Sequence, residues 1–91
     1  MENQEILAIL ESQPDEEWTQ GLLTDHEGHY CALGWVGKTL DLLGATIDGI
    51  GPYRRIYDTV GDYELCDRIT RINDNSLSHQ DALDRLRELL S

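Results

Sequence analysis

The sequence predicts a mainly α domain: a compact bundle of four to five short helices, with a short extended or hairpin element around residues 18–30. Three observations carry this expectation. Aliphatic residues, mostly Leu and Ile, recur three and four positions apart in several separate stretches, the spacing of one helix face. Residues that stop or start helices, Pro14, Pro52, Gly61 and Ser78 among them, stand between those stretches. Finally, 91 residues of 40% hydrophobic composition suffice for one core and no second, so residues 1–91 are expected to form a single domain.

Residues 2–13, "ENQEILAILESQ", place Ile6, Leu7, Ile9 and Leu10 on one stripe, with Glu2 and Glu5 where the helix dipole favours anions. Pro14 disfavours helical geometry at Gln13 and ends the segment. A short acidic run, Asp15 to Glu17, leads to Trp18. "WTQGLLTD" reads as extended, since Gly21 weakens a helix, and "DHEGH" reads as a turn around Gly28. "YCALGWVGKTLDLLG", residues 30–44, resumes helical spacing with Cys31, Trp35, Val36, Leu40, Leu42 and Leu43 on a broad apolar face. Gly44 suits the left-handed position after the helix. Gly34 and Gly37 cost such a helix roughly 1 kcal/mol each against Ala, yet three apart they offer a strip for close packing.

"ATIDGIGP" is a glycine-rich connector, and Pro52 opens a helix through "YRRIYDTV" that Gly61 breaks. Asp62 caps "YELCDRITRI", whose stripe is Leu65, Ile69 and Ile72 with Cys66 alongside. Asn73, Asp74 and Asn75 end it by capping backbone groups and shaping the turn toward Ser78. Ser78 caps the last helix, "HQDALDRLRELL", with Asp81 three residues on as in a capping box. Ala82, Leu83, Leu86, Leu89 and Leu90 face inward, while Asp81–Arg85 and Asp84–Arg87 pair outside.

Charge is the strongest global signal. Eighteen acids against seven bases give a net charge of −11 and a pI near 4.3. Such a field repels nucleic acid and anionic membranes, whose phosphates need Lys and Arg, and favours basic protein surfaces. Arg54, Arg55, Arg68 and Arg71 are too few for a nucleic-acid patch against it. No apolar run approaches the roughly 20 residues of a membrane span. "MENQEILAIL" lacks the basic start of a signal peptide, so a cytoplasmic protein is expected. Cys31 and Cys66 are the only cysteines and are expected to be reduced, small, buried side chains.

Both tryptophans, Cys31, His26 and His29 fall within residues 16–37, where any functional site must be sought. Cys31 near a helix N-terminus would have a lowered thiol pKa, with His26 or His29 as base and Asp25 to orient it. Its apolar neighbours argue for a packed cysteine instead, and no catalytic residue is assigned. His26-x-x-His29 with two carboxylates is a weak metal pattern, zinc if any, against the commoner solvated turn. No metal or cofactor is expected.

The combination "W-T-Q-G", an Asp and a Gly, "C-A-L-G" and a later "N-D" resembles a family of small proteins of unknown function from bacteria, notably actinobacteria, and their phages. It rests on Trp18, Gln20, Gly21, Asp25, Gly28, Cys31, Ala32, Leu33, Gly34, Asn73 and Asp74, and spans residues 16–91. Trp35-Val36 departs from the Ala-Leu usual there, and Ile72 stands where an aromatic is common. The resemblance implies no activity, but it suggests a phage or prophage origin. The expectation is a small acidic module that binds a basic surface of a host protein, a phage antagonist of host defence or nucleic-acid handling by partial nucleic-acid mimicry. Its contact residues are Asp15, Glu16, Glu17, Asp25 and Glu27. An enzyme or metal accessory on His26, His29 and Cys31, and a homodimeric structural protein, are the alternatives.

Overall fold

A computed structural model describes residues 1–44 and 49–91. Five α-helices follow in order: α1 (Asn3–Glu11), α2 (Ala32–Thr39), α3 (Pro52–Val60), α4 (Tyr63–Asn75) and α5 (His79–Leu90), with a 3-10 turn at Asp15–Glu17. The fold is mainly α, as its periodicity predicts. Half of the expected connector, residues 45–48, lies outside the described residues.

The helices begin and end for local reasons. Pro52 occupies the first turn of α3, and Gly61 closes it with φ +85°. Asp62 caps α4 by accepting from the Leu65 N–H at 3.0 Å, and Ser78 caps α5 by accepting from Asp81. Asp81 reaches back to the Leu77 N–H at 2.9 Å, one residue before the cap that a capping box would serve. At the end of α2, the expectation of a helix running to Gly44 is corrected. The helix stops at Thr39, Asp41 takes the left-handed conformation (φ +58°), and the Leu42 N–H donates to the Gly37 carbonyl at 2.7 Å. This is a Schellman closure with Asp in the place glycine usually takes, and it satisfies the helix end three residues early.

α2 is the central element, touching α1, α3 and α4, while α4 also packs on α3 and α5. Every residue from Ala32 to Gly37 is buried, so α2 has no solvent face over that length. Around it one cluster draws Ile6 and Leu10 from α1, Leu33 and Val36 from α2, Ile56 and Val60 from α3, Ile69 from α4, and Leu86 and Leu90 from α5. Each such side chain stabilises the fold by about 1.5–3 kcal/mol.

The two glycines of α2 set how closely its neighbours approach. A Cβ on Gly34 would lie 1.8 Å from the Leu23 carbonyl oxygen, and one on Gly37 would lie 2.8 Å from Ile56 Cδ1 and Leu43 Cδ2. The strip expected from their spacing is therefore used, one glycine against the preceding loop and the other against α3. Among the described residues no helix is long and apolar enough to cross a membrane.

Candidate functional site

The segment from Gln13 to Cys31 crosses the end of the bundle without forming a hairpin ladder. Its extended character is confined to isolated bridges of Tyr30 with Trp18 and with Thr24. Polar side chains hold it instead. Gln13 is buried, and its Nε2 donates to the carbonyls of Glu17 (2.9 Å) and Tyr30 (2.8 Å). Trp35 Nε1 donates to the Ile9 carbonyl and Ser12 Oγ, tying α2 to the end of α1.

The strongest tie is Asn73, fully buried on α4. Its Oδ1 accepts from Trp18 Nε1 at 2.8 Å and from the Ala32 N–H at 3.0 Å, while its Nδ2 donates to the Thr19 carbonyl at 3.0 Å. Gln20 Nε2 donates to the carbonyls of Asn73 and Ser76, both at 2.8 Å, and Asp74 Oδ1 accepts from the Gly21 N–H at 2.9 Å. The role expected for Asn73 and Asp74 as local helix-end caps is corrected. They are structural, but they bind the loop more than 50 residues earlier and the first N–H of α2. "W-T-Q-G" and "N-D", far apart in sequence, are thus two halves of one polar seam.

Cys31 lies beneath this seam, 5% exposed, with Sγ accepting from the Gly34 N–H. Burial pushes its thiol above the ordinary range, and the Gly34 N–H only partly offsets this. Desolvation outweighs the pull of the helix N-terminus, and Cys31 is the packed, buried cysteine that its apolar neighbours predict. Nor do His26, His29 and Cys31 converge. Among the described residues, the group with ligand atoms within 4.8 Å of one another is Asp25, Glu27 and His29. His26 stands apart, exposed, at φ +62°.

Asp25 organises the turn. Its Oδ1 accepts from the Glu27 and His29 N–H groups (2.8 and 3.2 Å), and its Oδ2 lies 2.6 Å from His29 Nδ1. Burial raises its pKa, but those bonds outweigh the burial and hold the carboxyl below the ordinary range.

The five acids expected to contact a partner lie on two turns, 15–17 and 25–29, and the Tyr30 N–H, just after the second, donates to the Glu17 carbonyl of the first at 2.7 Å. They differ in freedom. Asp25 is committed to its turn. Glu17 Oε1 pairs with Lys38 Nζ at 3.2 Å. Asp15 Oδ1 lies 2.5 Å from Nδ1 of the buried His79, though its own side chain is 79% exposed. Glu16 and Glu27 are exposed, and among the described residues neither makes a side-chain hydrogen bond or ion pair. The charge is also uneven: residues 1–51 hold ten acids and one base, whereas residues 52–91 hold eight acids and six bases.

Sequence reasoning missed His79 and Gln13. His79 stacks on Trp18, centroids 5.7 Å apart at 19°. It shares a helical stripe with Ala82, Leu83, Leu86 and Leu90, a signal that marks it as inward-facing. Gln13, beside Pro14 in a polar run, carries no such signal. Comparison with family models, with curated proteins and with solved structures found no match for this chain.

Proposed function

We propose that this protein is a non-catalytic binding module that docks a basic surface of a partner protein on the edge formed by residues 15–17 and 25–29. The observation that carries the reading is the joining of the two acidic turns through Glu17 and Tyr30, in the half of the chain that holds ten acids and one base. Clustered carboxylates steer a cationic partner and fix its register. The resemblance to small proteins of bacteria and their phages is compatible with an antagonist that covers a basic groove of a host defence or nucleic-acid-handling protein as a partial mimic of nucleic acid.

Glu16 and Glu27 are the acids to reverse, because neither is engaged in holding the loop. Capture of a host partner by the wild-type chain is expected to fall away at about 0.5 M salt, where exposed charges are screened beyond a few ångströms. Capture is also expected to be lost in the Glu16→Lys/Glu27→Lys variant, with the helical circular dichroism unchanged. A partner retained by that variant and at high salt would sink the reading.

A further inference from the structure

Away from the acidic edge, α3 and the start of α4 present an aromatic face. Tyr53, Arg54, Tyr57 and Tyr63 line an open groove of about 530 Å³. Tyr53 and Tyr63 are 54% and 51% exposed, among the few large hydrophobic side chains so placed. Tyr57 and Tyr63 meet at 80° with centroids 5.2 Å apart, forming a corner of two rings. Both phenols donate to carboxylates: Tyr57 to Asp67 Oδ1 at 2.8 Å and Tyr63 to Asp58. A phenol that donates to a carboxylate becomes more electron-rich, which strengthens the attraction of its ring face for a cation.

The molecule already contains a filled version of this arrangement. Lys38 Nζ lies 4.6 Å from the Trp35 ring centroid and 5.2 Å from that of Tyr30, with Glu17 Oε1 at 3.2 Å. Two aromatic faces and a carboxylate hold a cation there. At the α3–α4 groove the same ingredients occur. Arg54, itself one of the lining residues, stands with Nε 3.7 Å from Asp58 Oδ2 and interacts with the Tyr63 phenol, and Arg68 is occupied by Glu64 at 2.9 Å. Asp67 has no ion pair among the described residues. A second groove, of about 320 Å³, shares Tyr53 and continues past Pro52 and Leu43 to Leu22 and His26, next to Glu27 of the acidic edge.

We propose that the tyrosine groove receives an arginine or lysine side chain from a basic segment of the partner, laid across Tyr53, Tyr57 and Tyr63 with its charge toward Asp67. This rests on the reading of the protein as a binder of basic surfaces, and it extends the contact beyond the acidic edge.

The test is an NMR titration of the full chain at about 0.15 M salt with hexa-arginine, and with hexa-citrulline as its uncharged isostere. Hexa-arginine is expected to shift the ring resonances of Tyr53, Tyr57 and Tyr63 together with the amides of Glu16 and Glu27, and hexa-citrulline is not. Tyr63→Leu, which keeps apolar bulk, is expected to weaken hexa-arginine binding about 2- to 5-fold, and Asp67→Asn, which keeps shape, is expected to weaken it as well. Shifts at Glu16 and Glu27 with the tyrosines unmoved overturn the groove and leave the acidic-edge reading standing. The absence of shifts at either place removes both. Equal shifts from hexa-citrulline, affinity unchanged in both variants, or tyrosine shifts that follow protein concentration without peptide each overturn the groove proposal. The last would assign it to a second copy of the chain.

Discussion

The helical bundle and the loop from Gln13 to Cys31 are built on different forces. In the bundle, Ile6, Leu10, Val36, Ile56, Ile69 and Leu86 are almost wholly buried and recur at helical spacing, so stability comes from apolar area, spread over many side chains. The loop contributes few apolar residues to the core, chiefly Leu23 and Cys31. It is held by Gln13, Gln20, Asn73 and Asp74, each bonded to backbone or side chains across the seam. Each such bond adds about 0.5–1.5 kcal/mol when made, but a buried partner left unpaired costs about 1–3 kcal/mol. The bundle should therefore tolerate conservative exchange of one aliphatic for another, whereas the seam should fail when a single polar residue is lost. The acidic edge is displayed by the seam, so its geometry depends on the less forgiving of the two regions.

Gly34→Ala should have the largest effect, because it attacks the contact between the two regions. The new Cβ would lie 1.8 Å from the Leu23 carbonyl oxygen, and backbone cannot yield as a flexible side chain can. A loss of about 3 kcal/mol or more is expected in urea unfolding. A loss below about 1 kcal/mol would mean that the loop moves freely against α2, and the contrast would then collapse.

Asn73→Leu comes next. It preserves apolar volume but leaves Trp18 Nε1, the Ala32 N–H and the Thr19 carbonyl without their partner, for an expected loss of about 2–3 kcal/mol. Trp18 fluorescence should change before the helical circular dichroism does. Coincident transitions would show that seam and bundle unfold as one unit.

The smallest effect is the response of the turn to acid. The carboxyl of Asp25 is depressed in the folded state, so the stability it contributes is complete above its unfolded value of about 3.9. That stability is lost as the pH falls through the lower folded value. Protection of the Glu27 and His29 amides, taken against the intrinsic exchange rate at each pH, should therefore fall at acid pH in the wild type, and the fall should be absent in Asp25→Asn. An equal fall in both would show that the charge of Asp25 does not hold the turn.

Legibility in the sequence followed the same division. The helices, their stripes and the boundaries at Pro14, Pro52, Gly61 and Ser78 were readable, and so was the packing use of Gly34 and Gly37. At the site, the acidic residues were legible as a set, but their individual freedom was not. Only contact with His79, Lys38 and His29 separates Asp15, Glu17 and Asp25 from the unengaged Glu16 and Glu27. Asn73 looked like a local cap because Asn at a helix end often is one. Its position seven after Cys66 and four after Ile69, on the buried stripe, was the signal against that. Asp41 as the left-handed residue had no such signal, since a glycine three positions later offered a better candidate.

The sequence by itself therefore determined where the helices lie, which faces they bury and the sign of the molecular field. Periodicity and capping act within about four residues along the chain, and charge needs no geometry at all. The tertiary structure alone decided the polar seam, the pairing of Asp15 with His79 and the freedom of Glu16 and Glu27. Those features join groups as many as 64 residues apart, as Asp15 and His79 are. A hydrogen bond of that span has no pattern along the chain and comes into being only when packing brings its two ends together.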